Sequence, residues 1–284
     1  MDYGTIGLAL ALLSSATTAS AHALLKAGKD KLALRALIGA VGTIALGPFC
    51  LFVPVPTRDL LPWLAAANVL HTSYQLVLIR AYAASDFSVA YPLARGIVPI
   101  ATATTGMVLL GDRLNLGTIA GIILTSLGIL MIGIGRTVPV RALAAAITAG
   151  LLTAAYTVVD ASAVRLAPVA MTFIAWFFLL DGLIILAIVA VVRRGRVICS
   201  LCAEGRHGLW AGIASLVSFG SALLALRLAA VGVVSALRET SVAFAIVIAT
   251  VVLRERIDRR RTAALVTIAA GTVLILATID RSSL

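Results

Sequence analysis

Long apolar runs alternate with short polar segments along the whole chain. A transmembrane helix needs about 20 mostly apolar residues to cross roughly 30 Å of hydrocarbon, and ten runs of this length lie between charged or Pro- and Gly-rich breaks. The predicted spans are residues 4–25, 33–53, 60–79, 88–110, 115–135, 140–164, 168–192, 207–229, 232–253 and 260–279. The first run is long and has few preceding charges, so we expect it to be retained rather than cleaved as a signal peptide.

Landmarks of the first half of the chain recur in the second half. At a spacing of 143 residues Arg95 corresponds to Arg238 and Gly128 to Gly271, and at 147 residues Trp63 corresponds to Trp210, His71 to Ser218 and Arg80 to Arg227. This predicts two repeats, residues 1–137 and 138–284, with five spans each. An odd number of spans inverts the second repeat relative to the first. The predicted fold is therefore all-α, with ten transmembrane helices as two inverted five-helix repeats around a central cavity.

Composition and charge place this fold in a membrane with a definite orientation. Hydrophobic residues make up 61% of the chain, charged residues 12%, and the mean hydropathy is +1.10, which is typical of a polytopic membrane protein. Most Lys and Arg residues lie in loops after odd-numbered spans. The positive-inside rule then places these loops in the cytoplasm and both termini on the opposite side. We expect a bacterial-type inner membrane, lipid as the surroundings and no nucleic-acid partner for the net charge of +11.

A polar stripe lies in the middle of the third span. His71, Tyr74 and Gln75 are three and four residues apart, so they share one helix face at about mid-bilayer. Such a face is costly against lipid. It is expected either to line a cavity or to be fully paired inside the bundle.

Ionisable residues near the ends of other spans predict gates. Lys26 and Arg95 are expected to meet at the cytoplasmic side, and Asp160 is expected to pair with Arg238, beside Glu239, at the other side. The two halves would then present similar polar clusters to opposite faces.

Prolines flank the first of these arginines in the fourth span. Pro92 and Pro99 predict a bend or local unwinding there, because proline removes a helix hydrogen bond.

Two short turns carry a family resemblance. Leu110 to Leu114 reads LGDRL and Leu253 to Ile257 reads LRERI, and each is followed by a glycine-bearing helix. The chain thereby resembles the EamA-type drug/metabolite transporter superfamily. Its YPLARG stretch and polar third span are also similar to the YddG-type exporters of aromatic amino acids and methionine. The resemblance implies a secondary carrier that works by alternating access without ATP, and no phosphate-binding loop or cofactor motif occurs in the sequence.

Aromatic and polar residues of the inner spans favour an amino acid substrate. Aromatic walls suit an apolar side chain, and scattered charges suit a zwitterion. We therefore expect export of Phe, Trp, Tyr or Met, with lipophilic cations, drugs or other small metabolites as the alternative. The expected substrate-binding residues are His71, Tyr74, Gln75, Tyr91, Arg95, Tyr156 and Ser218. The expected gate or coupling residues are Lys26, Asp160, Asp181, Arg238 and Glu239, with protons or no coupling ion equally compatible.

Other functional classes find little support in the sequence. The three histidines lie in different spans and no carboxylate stands at metal-ligand spacing from them, so neither an enzyme nor a metal site is expected. Cys199 and Cys202 are expected to be inert reduced thiols. A channel stays an alternative that saturable transport would separate from a carrier. A monomer is the simplest assembly, since each chain holds both repeats.

Overall fold

The computed structural model of the protein describes residues 3–27, 30–84, 87–133, 140–193, 204–253 and 258–279. These residues form helices and short connections, and no strand occurs among them. The α-helices are α1 Tyr3–Ala27, α2 Lys31–Leu46, α3 Leu60–Ala84, α4 Phe87–Thr105, α5 Leu116–Gly133, α6 Val140–Leu166, α7 Ala170–Arg193, α8 Gly205–Leu228, α9 Val231–Glu239, α10 Ser241–Leu253 and α11 Arg259–Thr278. A 3₁₀ turn, Gly47–Leu51, follows α2, and a π-helical turn, Gly106–Leu110, follows α4.

The helices fall on the predicted spans within a few residues. Among the described helices, seven are long and apolar enough to cross a bilayer: α1, α2 with its 3₁₀ turn, α5, α6, α7, α8 and α11. Helices α3 and α4 occupy the third and fourth predicted spans. The ninth span is divided into α9 and α10 at Thr240. The all-α, multi-span membrane fold is thus confirmed.

Local sequence explains where several helices begin and end. Side-chain oxygens of Asp30, Asn115 and Asp258 accept hydrogen bonds from backbone N–H groups in the first turns of α2, α5 and α11, which would otherwise lack partners. The π-helical turn ends at Gly111, whose φ of +69° is in the left-handed region that glycine adopts without strain.

The unwinding expected at Pro92 and Pro99 is not found. Helix α4 continues through both prolines, and its irregular turn begins later, at Gly106. Helices α5, α6 and α9 pack against α4, and such neighbours allow a membrane helix to tolerate proline. A helix break does occur in the ninth span, where the sequence pattern did not predict one.

Small residues bring corresponding helices of the two halves into close contact. At the α5–α11 interface, a Cβ on Gly121 would lie 2.8 Å from the backbone oxygen of Gly271. Further along α5, a Cβ on Gly128 would lie 2.8 Å from Ile268 Cγ1. Because the contacted residue number in α11 falls as that in α5 rises, these two helices are antiparallel. Glycine at such positions lets the two backbones approach.

The same relation holds for other pairs, and it shows that the two halves run in opposite directions. Helix α2 packs antiparallel to α7, and α4 packs antiparallel to α9. Helix α3 packs against α6 as its counterpart α8 packs against α1. Two inverted five-helix sets produce this pattern. The predicted repeat boundary at 137/138 lies outside the described residues and stays a prediction.

Candidate functional site

Six helices bring buried polar side chains together in the interior of the bundle. They are α1, α3, α4, α6, α8 and α9, so both halves contribute. Its buried members are Ser14, Ser15, Thr18, His71, Arg95, Asp160, Ser218, Glu239 and Thr240. Together with Tyr156 and Arg238 we call this set the polar layer.

His71 pairs with Asp160 inside an aromatic cage. His71 Nε2 lies 2.9 Å from Asp160 Oδ2. The imidazole centroid lies 4.0 Å from the ring of Tyr156, 4.8 Å from Phe219 and 4.9 Å from Phe177. Asp160 is 0% exposed, and its second oxygen, Oδ1, has no hydrogen-bond partner among the described residues. Such an oxygen is costly to bury, so this side chain is a candidate for a role beyond packing.

Arg95 and Glu239 form an ion pair that joins the two halves. Arg95 Nη1 donates to Glu239 Oε1 at 2.7 Å, and both side chains are buried. Glu239 Oε2 has no hydrogen-bond partner in the described part of the chain. The sequence predicted that these charges need partners on other helices, and this contact joins Arg95 to the other half of the chain. The expected contact of Arg95 with Lys26 lies outside the described residues and stays a prediction.

Arg238 does not form the expected pair with Asp160. Its Nε donates to Ser14 Oγ at 3.2 Å, and its guanidinium lies 6.0 Å from the ring centroid of Phe219. Asp160 pairs with His71 instead. Among the described residues Arg238 has no carboxylate partner.

Ser218 occupies the place in the second half that His71 occupies in the first. Its Oγ donates to the backbone oxygen of Ser14 at 3.0 Å and contacts the hydroxyl of Thr18. The hydroxyl of Ser15, the next residue of α1, lies 2.7 Å from that of Thr240 between α9 and α10. The α8–α1 interface is therefore linked by hydroxyl groups where the equivalent α3–α6 interface holds a histidine and a carboxylate.

Tyr156 connects the two parts of the polar layer. It is 4% exposed and interacts electrostatically with Arg95, Arg238 and Glu239. The ring of Tyr74 lies 5.4 Å from it, edge to face, so His71 and Tyr74 reach the same residue of α6. Gln75 is half-buried, with an Oε1 that accepts no hydrogen bond from the described residues.

Three other expected residues lie elsewhere or cannot be placed. Asp181 Oδ2 accepts a hydrogen bond from Arg35 Nη2 at 2.6 Å, at the α2–α7 interface and outside the polar layer. The side chains of Tyr91 and Lys26 lie outside the described residues, as do Cys199 and Cys202.

A second polar cluster closes one end of the bundle, and the sequence did not predict it. Arg165, near the end of α6, donates to the backbone oxygens of Leu226 and Ala229 at the end of α8, each at 2.9 Å. Arg227, near the end of α8, donates to the oxygens of Val164 and Ala167 at the end of α6, at 2.7 and 2.9 Å. Each arginine thus caps the other helix.

Asp112 ties this end to the first half of the chain. It lies in the α4–α5 turn, where Oδ1 accepts from Arg165 Nη1 at 2.8 Å and Oδ2 accepts from the Val231 N–H at 2.6 Å. We call Asp112, Arg165 and Arg227 the Asp112 cluster. Together with Arg113 they line a cavity of about 280 Å³. The sequence marked Asp112 only as part of a repeated turn and Arg227 as a depth anchor, since the backbone acceptors leave no sequence signal.

Asp112→Asn is expected to lower the free energy of unfolding by about 2 kcal/mol, because hydrogen bonds to a charged group contribute roughly 1.5–3 kcal/mol each. The Val231 N–H should also exchange faster with deuterium. Hydrogen exchange followed by mass spectrometry over residues 226–240 measures both the local and the global change. Arg113→Gln is the matched control, because exposed Arg113 forms no described hydrogen bond. Unchanged exchange in Asp112→Asn would contradict the role of Asp112 in holding this end.

A larger apolar cleft lies between α3, α4 and α6. Its volume is about 850 Å³, and its lining includes Trp63 from α3, Ala101 from α4 and Leu151 from α6. None of its lining residues belongs to the polar layer.

Comparison with known proteins assigns a family to the second half of the chain. Residues 140–277, from the start of α6 nearly to the end of α11, match the EamA-like transporter family. The chain contains an EamA-like transporter domain. The second half of the chain is thus similar to a family of transporters.

Solved structures support the same fold over the full length. Twenty-nine chains match, and one of them, described only as a crystal structure of a protein, aligns with a TM-score of 0.72. It has 18% sequence identity and covers 98% of this chain and 99% of that chain. At this identity the match shows the shared fold alone. No curated protein matches.

Proposed function

We propose that the EamA-like protein is a secondary transporter that exports aromatic and hydrophobic amino acids, such as Phe, Trp, Tyr and Met, by alternating access. The observation that supports this substrate class is the composition of the polar layer. Aromatic rings of Tyr156, Phe177 and Phe219 surround buried charges of both signs. An amino acid with an apolar side chain presents the same combination of groups.

Two side chains are suited to the charged ends of such a substrate. Arg238 has donors to spare for a carboxylate, since its described hydrogen bond uses Nε alone. Glu239 Oε2 accepts nothing from the described residues and would accept from an ammonium group. In this proposal His71, Tyr74, Gln75, Tyr91, Arg95, Tyr156 and Ser218 form the rest of the substrate path.

The proposed orientation follows from the charges of the loops. The basic loops after odd-numbered spans face the cytoplasm of a bacterial-type inner membrane, and both termini face the other side. The Asp112 cluster then closes the non-cytoplasmic end. One chain holds both repeats, so a monomer is the proposed transporting unit.

Uptake of labelled phenylalanine into liposomes that contain the purified protein tests the substrate class. Saturable uptake is expected in the wild type. Tyr74→Ala should raise the half-saturation concentration up to about tenfold, since an aromatic pair contributes roughly 0.5–1.5 kcal/mol. Tyr74→Phe keeps the ring and should stay near the wild type. Failure of every aromatic or hydrophobic amino acid to move would refute the proposed substrate class.

Lipophilic cations are a second candidate class. The carboxylate oxygens Asp160 Oδ1 and Glu239 Oε2 without described hydrogen bonds, within an aromatic surround, favour a cationic ligand. Quaternary ammonium compounds lack N–H donors and would rely on the aromatic rings, whereas an amino acid would also need Arg238. Saturable uptake of a labelled quaternary ammonium compound that survives Arg238→Gln, with no saturable amino acid uptake, would favour this class.

A further inference from the structure

We propose that His71 and Asp160 form the proton-binding site through which this transporter uses a proton gradient. The inference rests on the proposed transport function, and it assigns the coupling role to one pair among several acidic candidates. One proton is bound by the pair when the α3–α6 interface is closed and released when that interface opens.

Asp160 differs from the other carboxylates of the described ion pairs in the side chain with which it pairs. In the described ion pairs, Asp30, Asp112, Asp181 and Glu239 each pair with an arginine. Arginine keeps its proton at every physiological pH and holds its carboxylate ionised. Asp160 alone in this set pairs with a histidine, the side chain whose charge most readily changes near neutral pH. The pair of His71 and Asp160 can therefore gain or lose a proton where the arginine pairs cannot.

The equivalent interface in the other half provides an internal comparison. Ser218 of α8 stands where His71 stands in α3, and its partners in α1 are Ser14 and Thr18. Hydroxyl groups form hydrogen bonds without changing charge near neutral pH. Of the two inverted interfaces, only the described α3–α6 contact can change its charge with pH.

The enclosed surroundings of the pair make a change in its charge energetically costly. The pair is enclosed by Tyr156 from α6, Phe177 from α7 and Phe219 from α8. The other titratable or charged groups nearby are those that interact with its neighbour Tyr156: Tyr74 from α3, Arg95 from α4, and Arg238 and Glu239 from α9. With one proton the pair has no net charge. Without it, a carboxylate in this enclosed site carries an unbalanced charge, which is costly unless water enters.

Loss of the proton should therefore favour an open α3–α6 interface, and proton binding should favour a closed one. Asp160 Oδ1 has no described hydrogen-bond partner, so it is the oxygen that entering water would bind first. A conformational equilibrium biased by proton binding is what couples a gradient to transport.

Two transport assays on the full-length protein in liposomes test the coupling. Vesicles that are acidic inside should accumulate labelled phenylalanine against its gradient in the wild type, as proton exchange for an exported substrate requires. Asp160→Asn should abolish this accumulation yet still exchange labelled for unlabelled phenylalanine when no gradient is present. His71→Gln should likewise abolish the accumulation. Asp59→Asn, an exposed carboxylate between α2 and α3, is the control and should accumulate substrate like the wild type.

A third measurement needs no substrate and separates the two proposals. Spin labels at exposed Leu61 in α3 and Leu166 in α6, in a variant whose three cysteines are replaced by alanine, report the spacing of these helices. The distance distribution should shift between acidic and alkaline pH, and Asp160→Asn should remove the shift. A pH-dependent shift in this distance without any amino acid transport would support the proton site and contradict the proposed substrate. Amino acid exchange with neither a pH-dependent distance nor gradient-driven accumulation would overturn the proton site alone.

Discussion

Glu239→Ala is expected to lower the free energy of unfolding by about 3 kcal/mol or more, because breaking a buried ion pair by removing one partner typically costs roughly 3–5 kcal/mol. Side-chain exposures of 7% for Arg95 and 3% for Glu239 leave little solvent to screen the charge of Arg95 once this carboxylate is gone. Transport should be lost as well, because the pair joins α4 to α9 across the two halves. Unfolding of the purified protein by a denaturing detergent in mixed micelles measures the stability.

A double variant distinguishes the loss of a partner from the loss of the pair. Arg95→Met combined with Glu239→Leu removes both charges, and replacing a buried pair by apolar residues is often neutral or stabilising. We expect this variant to regain most of the lost stability while still failing to transport. Glu239→Ala with a stability within about 0.5 kcal/mol of the wild type, the range of an ordinary surface substitution, would contradict the structural importance of the pair.

Gly182→Val is expected to prevent close packing of α2 and α7 and to lower the stability by about 3 kcal/mol, the upper part of the usual range for overpacking. A Cβ at Gly182 would overlap Thr43 Oγ1 and lie 2.5 Å from the backbone oxygen of Gly39. The Gly39 oxygen cannot move away easily, since it belongs to the backbone. The yield of monodisperse protein on gel filtration and its unfolding in denaturing detergent measure the effect.

The same substitution at a different glycine serves as the control. Gly220 also lies inside a helix, α8, but a Cβ there would meet nothing within 4 Å. Gly220→Val should therefore remain near the stability of the wild type. Equal losses in both variants would show that helix propensity, and not the α2–α7 contact, determines the result.

The sequence predicted the fold well because lipid imposes simple rules on it. A span must be apolar over about 20 residues, so helix positions could be read directly from the hydrophobic runs. The opposite direction of the two halves followed from counting five spans in each. The break at Thr240 was not predicted, since no proline marks it and the adjacent charges, Arg238 and Glu239, were interpreted as gate residues rather than as the end of a helix.

The contacts of the site were much harder to predict than its members. Periodicity placed His71 and Tyr74 on one face, and the structure shows both beside Tyr156. It could not show which helix faces which, so Asp160 was matched to Arg238 rather than to His71. Choosing an ion-pair partner requires the rotation of each helix about its axis. A change of one residue in that rotation turns a side chain by about 100°.

The hydrogen bonds of the Asp112 cluster constrain three side chains, those of Asp112, Arg165 and Arg227. The groups that Arg165 and Arg227 contact at Val164, Ala167, Leu226 and Ala229 are backbone oxygens, which every amino acid possesses. Those four positions are free to vary as far as this contact is concerned, while the two arginines and Asp112 are not. A saturation mutagenesis scan should thus find three positions here that require their polar groups, while the four acceptor positions, all buried, accept any side chain that packs.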